Sequence, residues 1–273
     1  MNLLSFTTLY PNAATPAHGI FIENRLTRLA ASGKAAVRVV APVAYVPNLA
    51  VLPESYRRLR RAPQRETRAG LEIDHPRYVL PPKIGMVPAP LLLYLAARRR
   101  LAAIRAAGYD FDLIDAHYFY PDGVAAMLLG RHFGRPVTIT ARGSDINLLA
   151  QYRLPRQMIR WAAMQASGLI TVCQALKTSL IDLGVPGDKI RVLRNGVDLV
   201  TFSPGDRLAA RTRFGAAGRL LLSVGNLVPL KGHDLAIRAL ALLPDRDTEL
   251  AIAGDGPEEA RLRALAAQLG RAA

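Results

Sequence analysis

The stretch Ser223–Leu240, SVGNLVPLKGHDLAIRAL, runs from a short apolar strand through a glycine turn to Lys231, which stands with Gly232 at the mouth of an amphipathic helix. The first turn of a helix leaves N–H groups unpaired and carries a partial positive charge. A cation placed there is mildly unfavourable unless an anion lies between the two. The stretch therefore reads as a β-α unit with a place for an anion at its turn.

The same rhythm extends in both directions. Towards the N-terminus the pattern predicts strand 3–9, helix 20–33, strand 35–42, a long irregular region and helix 88–107. There follow a strand ending at His117, helix 122–134, strand 136–143, helix 153–166, strand 168–173, helix 174–184 and strand 189–196. Strands alternating with helices imply right-handed crossovers and a mostly parallel sheet covered on both faces. The segment 197–206, with Pro204-Gly205, breaks the rhythm and reads as a linker. Beyond it come strand 219–226, helix 231–243, strand 248–254 and helix 257–269. Two parallel strands cannot bury both faces of a sheet. The expected organisation is a domain over 1–200 and an incomplete, C-terminally truncated one over 201–273.

Composition narrows the class. Of 273 residues, 51% are hydrophobic and 21% charged, which is globular rather than disordered. The formal net charge of +15 fits a solvated basic surface, an anionic membrane, an anionic substrate or nucleic acid. No nucleic-acid recognition motif is present, and the basic residues are scattered rather than interleaved with stacking aromatics, which argues against nucleic acid. Cys173 is the only cysteine, so no intrachain disulfide forms and a reducing compartment is expected. The N-terminus lacks a basic signal-peptide head, and the most apolar run, MVPAPLLLYLAARRR, is shorter than the ~20 residues that span a bilayer. The expected location is the cytoplasm, free or peripheral on the inner face of the membrane. The run 91–107 reads either as a helix packed on the sheet or as a basic amphipathic membrane contact.

In doubly wound sheets, ligands collect at the carboxyl ends of the strands. Four such places carry candidate residues. Gly19 lies beside the N-terminus of the first helix, where backbone N–H groups can meet a phosphate; a plain turn glycine is the alternative. His117 follows a strand and precedes Pro121-Asp122-Gly123, and its charge would respond to a phosphate near neutral pH. Arg142, Ser144, Asp145 and Asn147 offer donors and a carboxylate to a polyhydroxylated ligand, or form a solvated loop. Lys231 is the fourth. Its surroundings are not a Walker A loop, because Leu230 precedes it and Gly232 stands where a magnesium-binding Ser or Thr would be. Gly254 and Gly256 add a further glycine turn at a helix start. Zinc spacing, a G-x-S-x-G elbow and a G-x-G-x-x-G fingerprint are all missing from the sequence.

Six ordered segments resemble the retaining GT-B glycosyltransferases of the GT4 type: HGIFIENRLTRLAASG, FDLIDAHYFYPDGVAA, PVTITARGSDI, GLITVCQALKTSLIDLGVPGDKIRVLRNGVDLVTFSP, LLLSVGNLVPLKGHDLAIRAL and LAIAGDGPEEARLRALAAQLG. The resemblance implies two Rossmann-like domains, with the acceptor mainly on the first and a nucleoside diphosphate sugar mainly on the second. It implies transfer of a hexosyl-type group, with retention, to a saccharide or lipid-linked acceptor in polysaccharide or glycoconjugate biosynthesis. His117 matches the histidine near the transferred sugar. Gly19 matches a donor-phosphate contact, and Lys231 the cation that neutralises the diphosphate. Asp145, Asn195, Gly254 and Gly256 fall where donor or sugar contacts are expected. No cofactor or metal is implied, since fixed positive charge serves in its place.

Three departures stand out. Arg142 replaces a common histidine, Asn226 replaces a phosphate-binding arginine, and the acidic E-x7-E segment does not occur before Ala273. Losing one group that stabilises a transition state typically slows chemistry ~10²–10³-fold. The chain as written is therefore expected to have little transferase activity. The competing expectation is an inactive Rossmann-like module that binds a partner or a membrane.

Overall fold

A computed structural model of the chain describes residues 1–47, 53–81, 84–215, 218–245 and 247–271, in two compact units, Met1–Gly196 and Val197–Ala273. The first contains β1 (Asn2–Phe6), α1 (Ile20–Ala31), β2 (Ala36–Val40), β3 (Val43–Ala44), α2 (Glu54–Arg57), β4 (Arg65–Arg68), β5 (Leu71–Asp74), β6 (Arg77–Tyr78), α3 (Ala89–Ala106), β7 (Leu113–His117), α4 (Val124–Phe133), β8 (Val137–Ala141), α5 (Ser144–Asn147), α6 (Arg153–Gln165), β9 (Gly168–Thr171), α7 (Gln174–Asp182) and β10 (Ile190–Val192). The second contains α8 (Arg207–Arg213), β11 (Arg219–Val224), α9 (His233–Leu242), β12 (Thr248–Ala253) and α10 (Glu259–Gln268).

Eight strands of the first unit form one sheet in the order β10-β9-β8-β7-β1-β2-β5-β4. All its pairs are parallel except β4 with β5, where the edge strand runs back. The order turns at β1, which lies between β2 and β7. Alternation along β1 explains the two layers. Leu3 points to the cluster containing Ile22 and Leu26 of α1, whereas Leu4 and Phe6 join Leu93, Ala97 and Leu101 of α3 on the other face. Full burial of each such Leu, Ile or Phe side chain contributes about 1.5–3 kcal/mol.

The region read as irregular from sequence holds the short strands β3 to β6. Their lengths, down to two residues, leave too little periodicity to distinguish them from loop. Helix α3 packs one face on the core through Leu93, Ala97, Leu101 and Ile104, while Leu91 and Leu95 on the same helix remain exposed.

The second unit differs from expectation in one element. A helix, α8, follows the linker, and Asp206 caps it by accepting from the N–H groups of Leu208 at 2.7 Å and Ala209 at 3.2 Å. Strands β11 and β12 pair in parallel, and α9 and α10 contribute Ile237, Leu262 and Leu265 to a small core with Leu227. Leu222 and Val224 of β11 are about two-thirds exposed, at 65% and 71%. One face of this two-stranded sheet is therefore wet among the described residues.

Phe6→Ala, at the centre of the large sheet, is expected to lower the unfolding free energy of the chain by about 3–5 kcal/mol in denaturant titrations. Leu222→Ser is expected to stay within ~0.5 kcal/mol of the parent, because its side chain already faces water.

Candidate functional site

The carboxyl edge of the large sheet gathers the first set of residues. His117 ends β7, and its ring has no exposed surface. Arg142, the residue after β8, donates from Nη2 to His117 Nδ1 at 2.9 Å and from Nη1 to Asn195 Oδ1 at 3.0 Å. A guanidinium has no lone pair to offer, so Nδ1 is the accepting nitrogen and the neutral ring carries its proton on Nε2. That Nε2 lies 3.3 Å from Asp115 Oδ2 but lacks the alignment of a hydrogen bond. Burial pushes His117 down from 6.5 to about 4, outweighing the opposing pull of Asp115, while Arg142 and Arg25 lower it further. The expectation of a histidine whose charge answers to phosphate at neutral pH is thereby corrected: this imidazole is neutral at pH 7.

Arg142 is held on a third side by the Phe21 ring, whose centroid is 5.1 Å from the guanidinium carbon. Burial, with Arg25 adding to it, lowers Arg142 to about 10, which leaves it cationic at neutral pH. Asp145 lies wholly inside the chain. Its carboxylate accepts from the N–H groups of Phe119 and Gly143, both at 2.8 Å, and of Arg142 at 3.1 Å. It thus fixes the turn that aims Arg142, where the sequence suggested a carboxylate offered to a ligand. Ser144 shares a 2.6 Å hydrogen bond with the Tyr118 hydroxyl, and Asn147 is exposed.

Gly19 is the N-cap of α1, with φ +72°. A Cβ at this position would collide with the Leu9 carbonyl oxygen, so turn geometry and close packing alone already require glycine.

Two features of this edge are not evident from sequence. Asp122 is fully buried and accepts from Thr8 N at 2.6 Å, Thr8 Oγ1 at 2.9 Å and Thr7 Oγ1 at 3.1 Å. Burial raises its pKa to about 7 against the lowering effect of those bonds. Tyr118 adopts φ +86°, a rare conformation for a residue with a side chain. It is held there by Tyr118 N donating to Thr140 O at 2.9 Å and by the Ser144 contact. The sequence signal for Asp122 was its place in Pro121-Asp122-Gly123. Nothing comparable marked Tyr118.

The second unit carries a separate set. Lys231 closes a single 3-10 turn, Pro229–Lys231, and is exposed; Gly232, at φ +66°, caps α9. Lys231 lies over the Gly225 backbone, its Cδ 3.6 Å from where a Cβ would stand on that glycine. Asn226 is exposed on the same loop. Gly225 N donates to Ala253 O at 3.0 Å, and Leu227 N to Asp255 O at 2.8 Å, tying this loop to the one after β12. Side chains at Gly254 and Gly256 would strike the carbonyls of Gly225 and Leu227, so both glycines serve close loop packing. Asp234 adds an acidic group to the first turn of α9. Among the described residues no cluster of three His, Cys, Asp or Glu is placed to hold a metal, and no helix is long and apolar enough to cross a membrane.

Comparison with known proteins gives a consistent result. Residues 51–201, more than half of the chain, match the family model Glycosyltransferase Family 4, and residues 207–273 match Glycosyl transferases group 1. The chain is 35% identical over 207 residues to a D-inositol 3-phosphate glycosyltransferase of Acidothermus cellulolyticus, an alignment covering 67% of this chain and 46% of that protein. It is 27% identical over 271 residues to a Bacillus subtilis protein named putative teichuronic acid biosynthesis glycosyltransferase TuaC, covering 96% of this chain and 67% of that one. Against the first of these relatives the chain spans about half the length. Among solved structures, Anabaena HepE in complex with UDP superposes with a TM-score of 0.64 at 20% identity, covering 99% of this chain and 67% of that one, which shows the shared GT-B fold.

Two buried groups at this edge, His117 and Asp122, pull stability in opposite directions with pH, and Asp145, also raised by burial, acts in the same direction as Asp122. His117, lowered from an unfolded value near 6.5, favours the folded state more as pH rises from about 4 to 6.5. Asp122, raised from an unfolded value near 3.9, favours it less as pH rises from about 4 to 7. Relative to the parent chain, denaturant midpoints between pH 4 and 7 should therefore rise more steeply with pH in Asp122→Asn and less steeply in His117→Gln.

Proposed function

The chain belongs to Glycosyltransferase Family 4, and from that premise we propose that it acts in transfer of a glycosyl group from a nucleoside diphosphate sugar, with retention, to a saccharide or lipid-linked acceptor. The observation that carries this reading is Lys231 with Gly232 at the start of α9, over the bare backbone of Gly225. Departure of a nucleoside diphosphate develops negative charge, and a fixed ammonium beside unpaired helix N–H groups stabilises it without a metal. Gly254 and Gly256 let the loop after β12 pack closely on the loop that carries Gly225 and Asn226, and Asn226 adds an amide. UDP is the first nucleotide to test, since HepE is described in complex with it.

On the first unit, His117 and Arg142 act as a pair. The neutral imidazole and Asn195 hold the guanidinium, and the guanidinium makes the polar contact with sugar or phosphate. Gly19 and the N-terminus of α1 flank it. Asp145 and Tyr118 shape the loops that bear these groups.

A peripheral membrane contact is a second element of the reading. It is supported by Leu91 and Leu95, exposed on α3, a helix that also carries Arg98 and Arg99. Co-sedimentation with vesicles containing anionic lipid, lost in high salt and weakened in Leu91→Ser/Leu95→Ser, is the expected outcome. Equal sedimentation with neutral vesicles would remove this element.

UDP is expected to raise the melting temperature of the chain, with or without EDTA. Lys231→Ala should weaken UDP binding roughly tenfold or more, the scale of a lost charge-assisted contact. The absence of any shift at millimolar UDP, or unchanged binding in Lys231→Ala, would overturn the donor-site reading.

A further inference from the structure

A buried imidazole adjoins the lysine site, and none of the roles above uses it. His233 is the first residue of α9 and only 3% exposed. Its Nδ1 lies 2.9 Å from Ser223 Oγ on β11, while its Nε2 is buried with no hydrogen-bond partner. An orphaned polar nitrogen in a protein interior is costly, so its persistence calls for a reason. Its surroundings supply one. Nε2 is 3.7 Å from the place a Cβ would occupy on Gly225, and two carbons of the Lys231 stem are within 3.7 Å of the same place. The orphan nitrogen, the lysine stem and the bare glycine thus meet around one small space at the N-terminus of α9.

We propose that His233 is a second ligand for the anion that Lys231 meets: its Nε2–H donates to a phosphate oxygen of a nucleoside diphosphate once the lysine stem lifts off Gly225. Ser223 is the positioning residue. Its hydroxyl donates to Nδ1, which leaves the proton on Nε2, the nitrogen turned towards the glycine. Gly225 gives the ligand room, because any side chain there would occupy the approach. This inference rests on the donor-site reading above, which Lys231→Ala tests independently.

The experiment uses the whole chain with UDP and inorganic pyrophosphate as separate probes, read by calorimetry, with circular-dichroism melts to confirm folding. His233→Leu is expected to weaken both ligands about tenfold or more, and His233→Gln, whose amide can place a donor near Nε2, to recover most of that loss. Ser223→Ala should weaken binding by a smaller factor. Long-range ¹H–¹⁵N spectra of the unsubstituted chain provide a check that needs no variant: the His233 Nε2 resonance should move on adding pyrophosphate, with Nδ1 remaining the unprotonated nitrogen. A folded His233→Leu that binds both ligands like the parent, or an Nε2 signal indifferent to saturating pyrophosphate, overturns the proposal even if Lys231→Ala binds weakly. If the parent chain binds neither ligand, the donor-site reading falls and this proposal falls with it.

Discussion

Two carboxyl groups with no exposed surface, Asp122 and Asp145, hold the carboxyl edge of the large sheet in shape. Asp122 binds the chain where it leaves β1, through Thr7 and Thr8, and Asp145 binds the turn after β8 together with Phe119 from the loop after β7. Three neighbouring strands thus end in loops fixed by hydrogen bonds to buried carboxyl groups rather than by their own stiffness. A buried carboxylate that lost those donors would be a severe liability, so each anchor locks its loop. Arg142 and Tyr118 lie on loops held by that frame.

Within the frame, the imidazole and the guanidinium exchange the roles their chemistry first suggests. The histidine sits too deep to meet solvent and is kept neutral, so it serves as an acceptor that orients the arginine. The arginine, half-buried and gripped by Asn195, His117 and Phe21, is the cation presented at that edge. Fixing three sides of a long flexible side chain removes in advance the rotamer entropy that a ligand would otherwise have to overcome.

The parallel sheet and its two helical layers are legible in the alternation of apolar runs, because each long strand and helix carries enough repeats to declare its period. What escapes sequence reading is whatever is too short to repeat, such as β3 and β6, or too dependent on distant partners, such as Asp122 and the positive φ of Tyr118. Helix α8 was within reach, since Asp206 after Pro204-Gly205 is an ordinary cap signal. The positions of His117, Arg142 and Lys231 at strand ends follow from the pattern, whereas their burial does not. His117 reads as the end of a strand and Lys231 as the start of a helix, yet one is sealed inside and the other is open to water. His233 was hidden by adjacency: beside a lysine-glycine pair, a histidine on a helix looks like one more surface residue.

The pairing of β11 with β12 has a consequence for handling the protein. Among the described residues each strand has a neighbour on one side only, so each offers a full row of amide and carbonyl groups with no sheet partner. Such borders are templates for recruiting another extended segment. Beside exposed Leu222 and Val224 they favour pairing between copies of this chain at high concentration, so dilute stocks are preferable.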